Sequence, residues 1–193
     1  MQPDELDAIL TFLRSVERLK TVVRSGWTSA GQQESVAEHT WRLTLMAMVF
    51  YGQNSGIDGA RLLKMCLIHD LGEAVSGDIP APAQQPDAPK SARERADLVQ
   101  LISSLPASVQ EEILSLWDEY EAATSVEARL AKGLDKLETI LQHTQGDNPP
   151  DFDYAFNLAY GRQYTSADPL LAAIRARLDQ ETARRGKAFS QHS

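Results

Sequence analysis

Leu62-Leu63-Lys64-Met65-Cys66-Leu67-Ile68-His69-Asp70 is an apolar run that stops on two adjacent polar groups, each able to ligate a metal. Read as a helix, it buries its length and exposes its end. An Asp at a helix C-terminus faces the negative end of the macrodipole, so packing alone does not account for it. A divalent cation would compensate. Two further ligands stand in segments that also read as helices: His39 upstream and Asp135 downstream. Neighbouring helical residues point about 100° apart, so His69 and Asp70 can converge on one ion only near a helix end, where they are. Two imidazoles and two carboxylates suit Mn, Fe, Co, Ni or Zn, with Mg possible when a substrate phosphate helps. The metal set expected from order and spacing is therefore His39, His69, Asp70 and Asp135.

Outward from that run the chain is helical throughout, and strand signals are nearly absent. A first helix is expected from about Pro3 to Lys20, with Leu6, Ile9, Leu10, Leu13, Val16 and Leu19 on one side, and then a loop over Thr21–Gln33. Ser35 and Glu38 form a capping box, placing His39 in the first turn of a helix that runs to about Gln53. Asp58 caps the next helix, which Gly72 would terminate. Gly77–Pro89 holds four of the nine prolines and reads as an irregular loop. Helices follow over about Ser91–Ser104, Ser108–Ala123 and Ser125–Gln145, the last two introduced by Ser108…Glu111 and Thr124…Glu127. A shorter helix is expected over Phe152–Arg162. Asp168-Pro169 opens a last one that ends near Gly186. The whole reads as an all-α bundle in one domain, residues 1–186, with a frayed tail at 187–193.

Bulk properties narrow the function. The 193 residues are 42% hydrophobic and 24% charged, an ordinary globular composition. A net charge of −8 argues against a nucleic-acid polymer as partner. The N-terminus shows no secretory signal pattern, and the longest apolar stretch is too short to span a bilayer. The one cysteine, Cys66, sits among apolar neighbours and fits a reducing cytoplasm.

Other residues hold two readings at this level. Glu73, shortly after Asp70, is either a proton-handling carboxylate near the ion or an exposed acid after a helix. Arg24 offers a planar fork for phosphate oxygens, or is a solvated arginine. Trp27 is a pocket wall or a core plug. Asp78, in Gly77-Asp78-Ile79-Pro80, touches a ligand or merely fixes a turn. His143, two turns beyond Asp135, either lies near the site or is a surface or core-edge residue, the second being the better reading.

The order His…His-Asp…Asp on an all-helical chain resembles the HD-domain metal-dependent phosphohydrolases. Arg18-Leu19-Lys20…Arg24…Trp27, Glu34-Ser35-Val36-Ala37-Glu38-His39, His69-Asp70-Leu71-Gly72-Glu73, Ser76-Gly77-Asp78-Ile79-Pro80 and Leu116-Trp117-Asp118-Glu119-Tyr120-Glu121 look like the 5′-deoxynucleotidase subgroup, over about residues 6–180. The resemblance implies hydrolysis of 5′-nucleoside monophosphates, preferably deoxy ones, with a divalent metal. By the same resemblance Glu73 orients or deprotonates the attacking water, Asp78 contacts substrate and assists proton transfer, and Arg24 orients the phosphate. Trp27 packs on the sugar, and Asp70, Ile79 and Asp135 border the substrate. Glu73, Asp78 and the Ile79 carbonyl match a second cation position in the eukaryotic relatives. Two residues, Ser25-Gly26, separate Arg24 from Trp27, where the bacterial enzymes have them adjacent; this loosens the expectation for deoxy-sugar selection. Relatives commonly form homodimers, and the same is expected here. The competing expectations are a phosphodiesterase or (p)ppGpp hydrolase of the same fold, and a non-catalytic helical sensor whose metal is structural.

Overall fold

A computed structural model describes residues 2–51, 56–79, 90–166 and 168–190, residues 188–190 as backbone only. Helix α1 (Pro3–Val16) continues into a 3₁₀ turn, Glu17–Lys20. Strands β1 (Val23–Trp27) and β2 (Gln33–Ser35) pair antiparallel, with a register shift between Val23 and Trp27. There follow α2 (Val36–Tyr51), α3 (Gly59–Ile68), α4 (Glu73–Ser76), α5 (Lys90–Ile102), α6 (Ala107–Ala122), α7 (Val126–Gln145), α8 (Tyr154–Ala159), α9 (Arg162–Thr165) and α10 (Pro169–Ser190).

Helix α7 is the axis of the bundle. Leu130, Ala131, Leu134, Leu137 and Ile140 of α7 are buried in one core with Leu43, Met46 and Ala47 of α2 and Leu62, Met65 and Cys66 of α3. Leu116, Trp117 and Tyr120 of α6 and Leu171 and Leu178 of α10 join the same core. Each fully buried Leu or Met side chain contributes roughly 1.5–3 kcal/mol. Gly133 lets α10 approach, since a Cβ there would stand 2.4 Å from Leu171 Cδ1 and 3.0 Å from the Tyr164 carbonyl oxygen.

Caps fix where the helices start. Ser35 N–H donates to Glu38 Oε2 (2.7 Å) and Glu38 N–H to Ser35 Oγ (3.2 Å), which is the expected capping box. Asp58 Oδ1 accepts from Arg61 N–H at 3.0 Å. Asp168 Oδ1 accepts from the amides of Leu170 and Leu171, both at 2.9 Å, and from the Tyr51 hydroxyl at 2.8 Å.

Several expectations change. The loop after α1 contains the β1–β2 hairpin. The apolar side of α1 is not core: Leu6 and Leu13 are 48% and 53% exposed, and only Ile9 and Phe12 pack partly inward. No side chain caps α6, whose first residue precedes Ser108; Ser125, one position past Thr124, caps α7 through Ala128 N–H. Gly72 starts α4 rather than ending α3. The Phe152–Arg162 helix is two pieces, α8 and α9. Helix α10 passes Gly186, the expected stop, and residues 187–190 are helix rather than tail. The prolines of the 80–89 loop and residues 191–193 lie outside the described residues.

Candidate metal centre and active site

Three helices deliver the expected ligands to one place. His39 stands in the first turn of α2, His69 caps the end of α3 with Asp70 after it, and Asp135 projects from the middle of α7. His39 Nε2 lies 3.3 Å from Asp135 Oδ1 and 3.9 Å from Asp70 Oδ2; His69 Nε2 lies 3.1 Å from Asp70 Oδ2. One donor atom each from His39, His69 and Asp70 falls within 4.8 Å of the others.

The distal ring nitrogens are already engaged. His69 Nδ1–H donates to the Cys66 carbonyl at 2.9 Å, and His39 Nδ1–H donates to Glu138 Oε2. Both Nε2 atoms are buried and make no hydrogen bond. A buried ring nitrogen without a hydrogen-bond partner is costly, and here it recurs twice, beside two carboxylates. These donors fit a divalent ion.

Surrounding groups tune the ligands. Burial opposes ionisation of Asp70, but His69, Arg24 and His39 hold its carboxyl well below the usual range. Asp135 is likewise driven down against burial, by Lys136, His39 and His69. Its Oδ2 accepts from the Tyr120 hydroxyl at 3.1 Å and from Lys136 Nζ at 2.8 Å, which leaves Oδ1 toward His39. Burial and Arg24 work against a charged His39, yet Glu138 and Asp135 raise it to about 9.

A cavity of about 500 Å³ opens beside this cluster. Arg24, His69, Asp70, Glu73, Asp78, Ile79 and Asp135 all line it. Arg24 Nη1 donates to Asp70 Oδ2 (3.2 Å) and Nη2 to Thr139 Oγ1 (3.1 Å), so its fork is held at the cavity wall. Glu73 is 5% exposed, and its Oε2 has no hydrogen-bond partner. Burial, then Asp70 and Asp78, push its carboxyl up to about 10. Burial also raises Asp78, with Arg24 opposing.

The HD domain family matches residues 16–175. The chain belongs to the HD-domain family. The 5′-deoxynucleotidase HDDC2 of Homo sapiens is 39% identical over 141 residues, 72% of this chain and 68% of that one. The Danio rerio protein of the same name is 38% identical over 139 residues, 71% and 68% of the two chains. A Magnetospirillum magnetotacticum structure, described as a predicted metal-dependent phosphohydrolase, superposes with a TM-score of 0.81 at 29% identity and covers 95% of both chains.

One expected residue of the HD-domain site stands apart. Trp27 is half-buried and does not line the cavity, although Ser25, two residues before it, does. Its carbonyl accepts from Gln142 Nε2, and the strand pairing is irregular between Val23 and Trp27. Aromatic surface in the cavity comes instead from Trp117, Tyr120, Phe152, Phe156 and Tyr160.

Other groups at the site carried no catalytic or ligand assignment in the sequence. Glu138, fully buried, joins His39 to Arg42, whose Nε donates to Glu138 Oε1 at 2.6 Å. Arg42 also reaches Glu34 at 3.3 Å and Gln142. Glu34, buried beside Glu138, is pushed up to about 7 despite His39 and Arg24. His143 lines the cavity and is 4% exposed, not a surface residue. The signal for these was helical spacing: Glu138 follows Asp135 by three, and Thr139 and His143 follow it by four and eight.

Proposed function

We propose that the chain is a metal-dependent phosphomonoesterase, a 5′-deoxynucleotidase that converts a nucleoside 5′-monophosphate, preferably 2′-deoxy, to nucleoside and inorganic phosphate. The observation that carries this reading is two buried, unpartnered imidazole nitrogens and two ionised carboxylates meeting beside the Arg24 fork at the wall of a nucleotide-sized cavity. The names of the relatives support the substrate class.

His39, His69, Asp70 and Asp135 would hold the ion. A divalent cation there supplies Lewis acidity, polarising a phosphoryl oxygen and making water more acidic. Arg24, already fixed between Asp70 and Thr139, binds the non-bridging phosphate oxygens in its plane. Glu73, which the positive charge of a bound cation would ionise, orients the attacking water and takes its proton. The water oxygen bonds to phosphorus, the bond from phosphorus to O5′ breaks, and its electron pair goes to O5′. Asp78, a raised carboxyl on the same cavity, supplies the proton O5′ needs. Glu73, Asp78 and Ile79, which line the same cavity, would hold any second cation.

The reading extends to a homodimer in the cytoplasm, acting on a small nucleotide rather than a nucleic-acid polymer or a membrane. The exposed Trp41, Met48 and Val49 of α2 support association, and no described helix is long and apolar enough to cross a membrane. Light scattering that returned a monomer would remove the dimer.

The decisive experiment is phosphate release from 5′-mononucleotides by chelator-stripped protein resupplied with Mn, Co or Mg. Release that disappears in His69→Ala is the expected result. Glu73→Ala should keep its metal and lose about a hundredfold or more in rate. Full activity in Glu73→Ala, or no release from any monophosphate with metal bound, overturns the proposal.

A further inference from the structure

Helix α7 lays a ruler along the cavity. Asp135, Thr139 and His143 recur at four-residue intervals, so they stand on one face about 6 Å apart per step. All three line the cavity. Asp135 belongs to the metal cluster, and Thr139 holds Arg24, the phosphate fork. His143 comes next, one turn beyond the phosphate, where the sugar of a 5′-mononucleotide must lie.

The chemistry at His143 suits that place. Its Nδ1–H donates to Asn157 Oδ1 at 2.8 Å, which fixes the tautomer and leaves Nε2 an acceptor. Nε2 makes no hydrogen bond among the described residues. Burial lowers the ring below its ordinary value and keeps it neutral. Gly26 clears its edge: a Cβ there would stand 3.3 Å from His143 Cδ2 and 3.5 Å from Nε2. Phe152 meets the His143 ring edge-on at 4.8 Å, and Phe156 and Tyr160 stack at 5.1 Å on the same cavity wall. Flat aromatic faces accept any nucleobase without reading its edge.

We infer that His143 is a specificity residue of this site, accepting a hydrogen bond at Nε2 from the 3′-hydroxyl of the substrate sugar, with the Phe152, Phe156 and Tyr160 rings receiving the base. The inference rests on the 5′-mononucleotide reading of the cavity. It also gives Ser25-Gly26 a role: the two residues carry Trp27 away and bring Gly26 against His143, so the sugar is read from α7.

The test compares a 2′-deoxynucleoside 5′-monophosphate with its 2′,3′-dideoxy analogue, in the metal-loaded enzyme. Wild type should favour the 3′-hydroxyl substrate by about tenfold in kcat/KM, the effect of one hydrogen bond. The difference should lie in KM. In His143→Phe the preference should collapse toward one, and in His143→Gln, which keeps an acceptor, it should partly return. Equal turnover of both substrates by wild type overturns the inference without needing a variant. So does a His143→Phe enzyme that retains the full preference. Failure of the underlying reading shows separately, as absence of phosphate release from either compound.

Discussion

His39 can offer Nε2 to an ion only while Nδ1–H is engaged, and Glu138, one turn along α7 from Asp135, engages it. The contact is a hydrogen bond to a fully buried carboxylate that Arg42 also binds. Burial opposes this charge, yet His39 and Arg42 hold Glu138 below its usual range. Partners of this kind typically account for 10–100-fold in metal affinity. Glu138→Gln keeps the volume, removes the charge and lets the amide donate to Nδ1, which would shift the ring hydrogen to Nε2. Divalent-ion affinity by titration calorimetry should fall by about 10–100-fold, in protein that melts cooperatively; unchanged affinity would show that Glu138 is only a packing residue. The sequence pointed to the four candidate ligands because few packing schemes place an Asp beside a His at the end of an apolar helix. It was silent on Glu138 and Arg42, since a Glu in a charged helix reads equally well as solvated; only the bundle shows that this side of α7 faces inward.

Among the elements, α7 works by being buried on nearly every side, which its mixed composition hides. Lys132 is tolerated inside because Nζ bonds Glu121 Oε2 at 2.8 Å and lies 4.7 Å over the Tyr120 ring. Gly133 is a point of close approach between α7 and the α9–α10 segment. An alanine gains up to about 1 kcal/mol in helix propensity, but its methyl would meet Leu171 at 2.4 Å and the Tyr164 carbonyl at 3.0 Å. Leu171 can shift, whereas the carbonyl is backbone, and overpacking costs about 1–3 kcal/mol. Gly133→Ala should therefore lower Tm by a few degrees, about 2–4 °C per kcal/mol at this size; a rise would mean that α9 and α10 yield easily. Helix starts at Ser35, Asp58 and Asp168 were legible, because a side-chain oxygen ahead of a helix has one obvious job. The β1–β2 hairpin was not. Val23-Arg24-Ser25-Gly26-Trp27 has no alternation of apolar and polar residues, and contacts far away in sequence, such as Gln142 Nε2 donating to the Trp27 carbonyl, help hold it.

For the whole molecule, the acids gathered around the cavity make stability depend on what neutralises them. Asp70, Glu73, Asp78, Glu94, Glu121 and Asp135 share its lining with Arg24, Lys90, Lys132 and Lys136. An ion that binds only the folded state adds about 2.7 kcal/mol at a hundred times its Kd, or about 5–10 °C in Tm for a chain of this length. Chelation should reverse that rise. The pH dependence of the stripped protein follows from the raised groups. Glu73 keeps its proton to about 10 when folded, against 4.5 as an ordinary carboxyl; His39 keeps its to about 9, against 6.5; and Glu34 to about 7. In each case the folded state binds the proton more tightly than the unfolded chain does. Stability from these groups is therefore full below the unfolded value and is lost as pH rises through the folded one. Asp70 and Asp135, shifted down, stay ionised in both states above pH 6 and add no slope there. Between pH 6.5 and 9 the chelated protein should thus lose Tm steadily. With the ion bound, His39 gives up its proton in advance and nearby positive charge favours ionised Glu73, so the loaded protein should have a flatter profile and the gap between the two should widen with pH. Thermal melts at three pH values, with and without chelator, measure it. Parallel profiles would mean that the ion does not bind among these groups.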